Sequence, residues 1–239
     1  MTELFVHKGK PYIFKDLDSI VSYYAPVRFT ELSDEPCPKF NIGKISLSLW
    51  RTIASFFRLA HKENKSEAQV RLFYSPELKL WKAHAFPQPK DGGMTTKEMP
   101  DHPDFGPQME ACLEGGKYVP WGTIHSHCDA GAFQSGTDKH DEQNSPGLHV
   151  TMGKITGAEI DLHSRFTMVI PGEVTTNEKG EETATAAQTY FSPVDLRDFI
   201  EVPESYVSAD APKPIRDFAF KFLISLNTED LVDQALVET

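Results

Sequence analysis

The run Trp121-Gly-Thr-Ile-His-Ser-His-Cys-Asp-Ala-Gly-Ala-Phe-Gln-Ser-Gly-Thr-Asp138 joins two local patterns. Trp121, Thr123 and the β-branched Ile124 lead into His125 and His127, as at the end of a strand. Positions i and i+2 of a strand share a face, so both imidazoles can converge on one point. A short loop with Gly131 follows. Ser135-Gly-Thr-Asp138 then has the form of a helix start, with Ser135 at the N-cap and Asp138 three residues on. A Ser-x-x-Asp start alone is mostly a capping box, and a lone His-x-His is often a surface or core pair. In this order and spacing they provide two neutral rings and one carboxylate. Three ligands is the count that a catalytic zinc needs when its fourth position stays open for water.

Working upstream, Leu49, Ile53, Phe56, Phe57 and Ala60 recur at three- and four-residue spacing, and the polar run Lys62 to Ser66 closes the segment. This predicts a long amphipathic helix from about residue 45. Val70, Leu72 and Tyr74 then alternate with Arg71 and Phe73, as in a strand. Glu67 lies at the junction. Residues 87–120 read as a long loop with one short helix near 109–113, expected to form part of a substrate groove. Downstream, residues 148–152 and 161–170 look like strands, 175–185 like a hairpin turn and 215–226 like an amphipathic helix. Thr228 would cap another helix.

The predicted fold is α/β: a mixed, mostly antiparallel sheet flanked by helices, with the metal at the strand edge. Residues 1–40, with apolar clusters at 12–14 and 20–24, are expected to be a small appendage. Residues 41–172 would be the core, and 173–239 a strand and helix extension.

The pattern His125-x-His127, seven residues, then Ser135-x-x-Asp138 resembles the signature of the JAMM (MPN-plus, JAB-domain) metallopeptidases. These are zinc enzymes that cut peptide or isopeptide bonds next to ubiquitin-like proteins. The resemblance covers about residues 44–172 and rests mainly on the metal motif. It implies a JAB/MPN fold of the cytidine-deaminase-like type, His125, His127 and Asp138 as zinc ligands, and Ser135 as an oxyanion donor. It also implies a glutamate base at the strand that follows the long helix. Glu67 fits that place, with Glu63 as its rival. The chain departs from the family in carrying Cys128, not proline, after the second histidine. Ala68-Gln69 replaces the family's glycine-bearing pattern, and the 87–120 stretch is longer than the fold requires. These features point to a prokaryotic-type member. The implied reaction is hydrolysis assisted by Glu67, with a protein substrate, possibly ubiquitin-like.

Other conspicuous residues read as structural. His140, Asp141 and Glu142 are expected on an exposed, charge-rich helical turn, and His149 as a satisfied strand histidine. Cys128 is read as non-ligating, since adjacent strand-end residues point opposite ways.

Three alternatives remain. A binding module would keep the fold as a metal-binding interaction surface without peptidase activity. A zinc deaminase would need His-x-Glu and Pro-Cys-x-x-Cys, and the chain offers only Pro36-Cys37-Pro38. A cysteine peptidase would use Cys128 with a neighbouring histidine.

With 239 residues, 39% hydrophobic and 25% charged, the composition is that of an ordinary globular protein. The three cysteines are odd in number and far apart, which imply no disulfide framework and fit a reducing cytoplasm. No signal-like N-terminus and no window of about eighteen apolar residues is present. A net charge of −11 without a basic stripe argues against nucleic acid and suits a partner with a basic face.

Overall fold

The apolar spacing of Leu49 to Ala60 forms helix α1 (Leu47–Asn64), which buries Trp50, Ile53, Ala54 and Phe57. It starts where Ser46 Oγ accepts the Leu49 N–H at 3.1 Å. It stops where Lys65 turns left-handed and its N–H bonds back to His61 O at 3.0 Å. Both ends thus satisfy backbone groups that the helix itself leaves unpaired.

The computed structural model describes residues 4–7, 10–16, 21–26, 37–89, 97–172, 174–176 and 182–226. Strands β1 (Leu4–His7), β2 (Lys10–Asp16), β3 (Val21–Pro26) and β4 (Cys37–Phe40) pair antiparallel in chain order. Of the apolar clusters expected in this appendage, residues 12–14 fall on β2 and 21–24 on β3, while Ile20 lies outside the described residues. Phe40 ends the meander with its ring against Phe166 and Phe199, at centroid distances of 4.7 and 4.9 Å. β5 (Ile45–Ser46) leads into α1.

The main sheet has six strands. In chain order they are β6 (Gln69–Ser75), β7 (Leu80–His84), β8 (Val119–Ser126), β9 (Gly147–Gly153), β10 (Asp161–Ile170) and β13 (Gln188–Pro193). Their spatial order is β13-β10-β9-β8-β6-β7. Only β8 and β9 run parallel, so the sheet is mixed and mostly antiparallel. β11 (Val174–Thr176) and β12 (Glu182–Ala184) pair as the expected hairpin, whose turn lies outside the described residues. β14 (Ile200–Glu201) pairs in parallel with β5.

One face of the sheet carries α1 and the C-terminal helix α4 (Lys213–Ser225). Val70, Leu72, Ile124, Val150, Met152 and Phe166 meet Trp50, Ile53 and Phe57 there. Trp50 Nε1, Arg51 Nε and Arg58 donate to the carbonyls of Ile224, Leu223 and Ser225, closing the end of α4 against α1. These carbonyls have no helical partner, so donors from α1 fix where α4 docks. The second helix expected from Thr228 falls outside the described residues.

The opposite face is thinner. Phe73, Phe86 and Tyr118 pack there with residues of helix α2 (Phe105–Leu113), and the short helix α3 (Gly136–Glu142) lies near the strand ends. α2 is longer than the predicted helix, and the 87–120 stretch also includes a 3-10 turn and the start of β8.

The boundary expected at residue 172 does not coincide with an edge of the core. β13 completes the sheet, β14 pairs with the entry to α1, and Leu196, Phe199, Leu223 and Ile224 are buried in the same cluster as α1. The sequence shows the helix over 215–226 but not where it or the short strands β13 and β14 pack, because their partners are distant in the chain.

β8 and β9 approach closely at two glycines. Gly122 has φ +113°, and a Cβ there would lie 1.9 Å from Leu148 O. Gly147, with φ +137°, faces Trp121 in the same way. This crossing sets the strand that ends in the histidine pair. Among the described residues, no helix is long and apolar enough to cross a membrane.

Candidate metal centre

β8 ends at Ser126, and the ladder continues one residue further through a His127 N–H to Met152 O bond of 2.7 Å. The strand period places His125 and His127 on one face, with their Nε2 atoms 3.2 Å apart. Cys128 then turns left-handed at φ +51° and starts a tight loop. That loop is pressed onto the end of β9, where a Cβ on Gly153 would lie 2.4 Å from Ala130 O. The loop carbonyl of Gly131 accepts from His127 Nδ1 at 3.3 Å. A carbonyl can only accept, so Nδ1 carries the proton and Nε2 keeps its lone pair for a ligand.

α3 begins as the sequence predicts. Ser135 Oγ accepts the Asp138 N–H at 3.1 Å, and Asp138 Oδ2 accepts the Ser135 N–H at 2.7 Å. This capping box aims the carboxylate at the histidines. Oδ1 lies 3.4 Å from His125 Nε2, and Oδ2 lies 3.8 Å from His127 Nε2. One ligand atom from each of His125, His127 and Asp138 lies within 4.8 Å of the other two, so the group could hold a metal ion.

The donor chemistry fits a cation. Two ring nitrogens and a carboxylate converge where, without an ion, only a proton can relieve their mutual repulsion. Burial and the neighbouring His125 lower the His127 pKa, favouring the free base that a metal needs. Burial alone would raise the Asp138 carboxyl. Hydrogen bonding and charge from His125, with the bonds from Ser135, outweigh it and hold that carboxyl well below the usual range.

The cluster lines a cavity of about 550 Å³ that Glu67, Ser135 and Glu142 also line. Glu67 is 9% exposed, two residues before β6. Burial, and then the charge of Asp138, push its carboxyl up to about 7. A group that holds a proton near neutral pH can both take one up and release it. Glu63 lies on α1 and lines a separate, more apolar cavity of about 620 Å³. Glu67 lines both cavities, so the structure brings Glu67, not Glu63, to the cluster.

Cys128 does not join the ligand group. Burial, with the charges of Glu67 and Asp129, pushes its thiol up to about 11. A thiol so high is protonated at neutral pH, which disfavours a cysteine nucleophile.

His149 is buried as expected. Its Nδ1 lies 2.9 Å from Thr123 Oγ1, and its Nε2 lies 2.8 Å from Ser145 O. His140 and Asp141 are exposed, also as expected. Glu142 is a correction: it is 4% exposed and paired with the buried Arg165. It lies one turn after Asp138, facing inward, which a run of charged residues in the sequence conceals. The only available signal was an arginine inside strand β10, which demands a buried partner.

A second pair, Arg71 with Glu98, was also missed. Arg71 Nε donates to Glu98 Oε1 at 3.1 Å and ties residues 97–100 to β6 at the cavity wall. Part of the long 87–120 stretch thus borders the cluster.

No family model matches the sequence, and a search of the curated proteins finds no match.

Proposed function

We propose that the protein is a zinc-dependent hydrolase of peptide or isopeptide bonds, acting on a protein substrate of the ubiquitin-like kind. The observation that carries this reading is the convergence of His125, His127 and Asp138 at one cavity with Glu67 and Ser135. A metal-holding module without chemistry has no need of an acid–base group raised to about 7 beside its ligands.

His125, His127 and Asp138 would hold the ion. When bound, zinc supplies a water acidified to near neutral pH and a positive charge beside the scissile carbonyl. Glu67 takes the proton of the attacking water and delivers it to the leaving amine. Ser135 Oγ already accepts from the Asp138 N–H, so its own hydrogen remains to donate to the carbonyl oxygen as negative charge builds there. The capping bond thus holds the donor in place before reaction. The resemblance to JAMM peptidases, seen in the spacing of the ligands and of Ser135, supports the bond type and the substrate class.

The test is hydrolysis of a fluorogenic ubiquitin-like fusion and of an isopeptide-linked dimer by zinc-loaded protein, with Glu67→Gln and Ser135→Ala alongside. Cleavage by the wild type that both variants lose supports the reading. Zinc binding without cleavage of any such substrate favours the non-catalytic module.

A further inference from the structure

We propose that Glu142 and Arg165 are positioning residues for the metal centre, forming a buried frame that docks α3, and with it Asp138, against the strands at the histidine pair. The inference rests on reading His125, His127 and Asp138 as metal ligands, not on the bond that is cut.

α3 carries Asp138, yet its sequence Gly136-Thr-Asp-Lys-His-Asp-Glu142 contains no hydrophobic residue. Hydrophobic burial therefore cannot dock this helix on the sheet. Glu142 is its one buried residue. It is four residues from Asp138, on the same helical face. Glu142 Oε2 accepts from Arg165 Nε at 2.7 Å and from Gln134 Nε2 at 2.8 Å, and Oε1 accepts from Arg165 Nη2. Arg165 rises from β10 and is 1% exposed. The two-point fork of guanidinium on carboxylate fixes direction as well as distance.

The same guanidinium reaches the strand beside the other ligand element. Arg165 Nη1 donates to Thr151 Oγ1 at 3.0 Å, and also lies 3.1 Å from His163 Nδ1. Thr151 on β9 is the register partner of His125 on β8. Its Oγ1, already accepting from Arg165, lies 3.4 Å from His125 Nε2. That nitrogen faces the cluster, so the contact cannot orient the ring once a metal takes its lone pair; through Thr151 the guanidinium instead ties α3 to the strand paired with the one that carries His125. A buried ion pair brings little net stability over an apolar pair of similar size. Its retention here is explained by the register it imposes on the short polar helix.

The test is zinc affinity by competition with a chromophoric chelator, together with melting temperature in excess chelator. It uses Glu142→Met, Arg165→Met, the double variant with both changes, and Arg165→Lys. Each single methionine variant is expected to bind zinc about 10- to 100-fold more weakly and to melt lower. In the double variant no charge is left buried alone, so the melting temperature recovers while zinc affinity stays weak. Arg165→Lys keeps the charge but loses the fork. It is expected to weaken zinc and to alter the visible absorption of the cobalt(II)-substituted protein.

Recovery of both fold and affinity in the double variant would show a purely structural pair and overturn the proposal. So would wild-type affinity with an unchanged cobalt spectrum in Arg165→Lys. A wild type that takes up no zinc would overturn the metal reading itself, which is a distinct result.

Discussion

Ser135 and Asp138 cap each other: the Ser135 hydroxyl accepts the Asp138 N–H at 3.1 Å while the Asp138 carboxylate accepts the Ser135 N–H at 2.7 Å. One local motif therefore places both a proposed metal ligand and the proposed oxyanion donor. The two roles separate on mutation because they use different atoms.

Ser135→Ala removes the hydroxyl but leaves the carboxylate. Zinc stoichiometry should remain that of the wild type, while kcat falls about 10²- to 10³-fold. Loss of the cap should cost about 1 kcal/mol, read as a small drop in melting temperature. A variant that loses its zinc would show that the hydroxyl works through Asp138 alone.

Glu67 gives a pH prediction with a definite sign. The folded chain holds the Glu67 proton up to about pH 7, whereas an unfolded carboxyl ionises well below that. Folding is thus favoured on the acid side, and this contribution is lost as pH rises through about 7. In chelator, Glu67→Gln should melt higher than the wild type at about pH 8, and the difference should shrink toward about pH 5. Activity runs the opposite way, since the base must be ionised. The rate should rise through an acid limb at or below about 7, because a bound cation offsets the charge of Asp138. Glu67→Gln should be inactive with zinc retained. Equal melting of variant and wild type at every pH would refute the raised carboxyl.

Gly122→Ala tests the strand crossing behind the histidines. Its φ of +113° disfavours any side chain, and the Leu148 carbonyl would lie 1.9 Å from the new Cβ. The strained backbone and the overpacking together should cost about 2–5 kcal/mol. The variant should also bind zinc more weakly, because β8 must move off β9. Urea unfolding and chelator competition measure the two effects, and a stable variant with wild-type affinity would contradict the close packing.

The group of His125, His127 and Asp138 was legible because both patterns that place it are local. A strand end aligns His125 with His127, and a capping box aims Asp138. The extent of α1 was legible for the same reason, from about residue 45 to the polar run ending at Ser66, although its Ser46 cap was not. What the sequence concealed depends on distant partners. Glu142 looks like one more charge beside His140 and Asp141 until Arg165, 23 residues on, turns it inward. β13 and β14 are short runs whose place in the core is set by β10 and β5. Glu67 fell at the right junction, but its raised carboxyl depends on burial that no local pattern reveals.

Zinc titration followed through His127 and Asp138 tests the central claim most directly. Wild-type protein, cleared of metal and titrated against a chromophoric chelator, should take up one equivalent of zinc per chain. His127→Ala and Asp138→Asn should each lose most of that affinity, and Cys128→Ser should keep it. A wild type that takes up none, or an Asp138→Asn variant that binds as tightly as the wild type, would contradict the account.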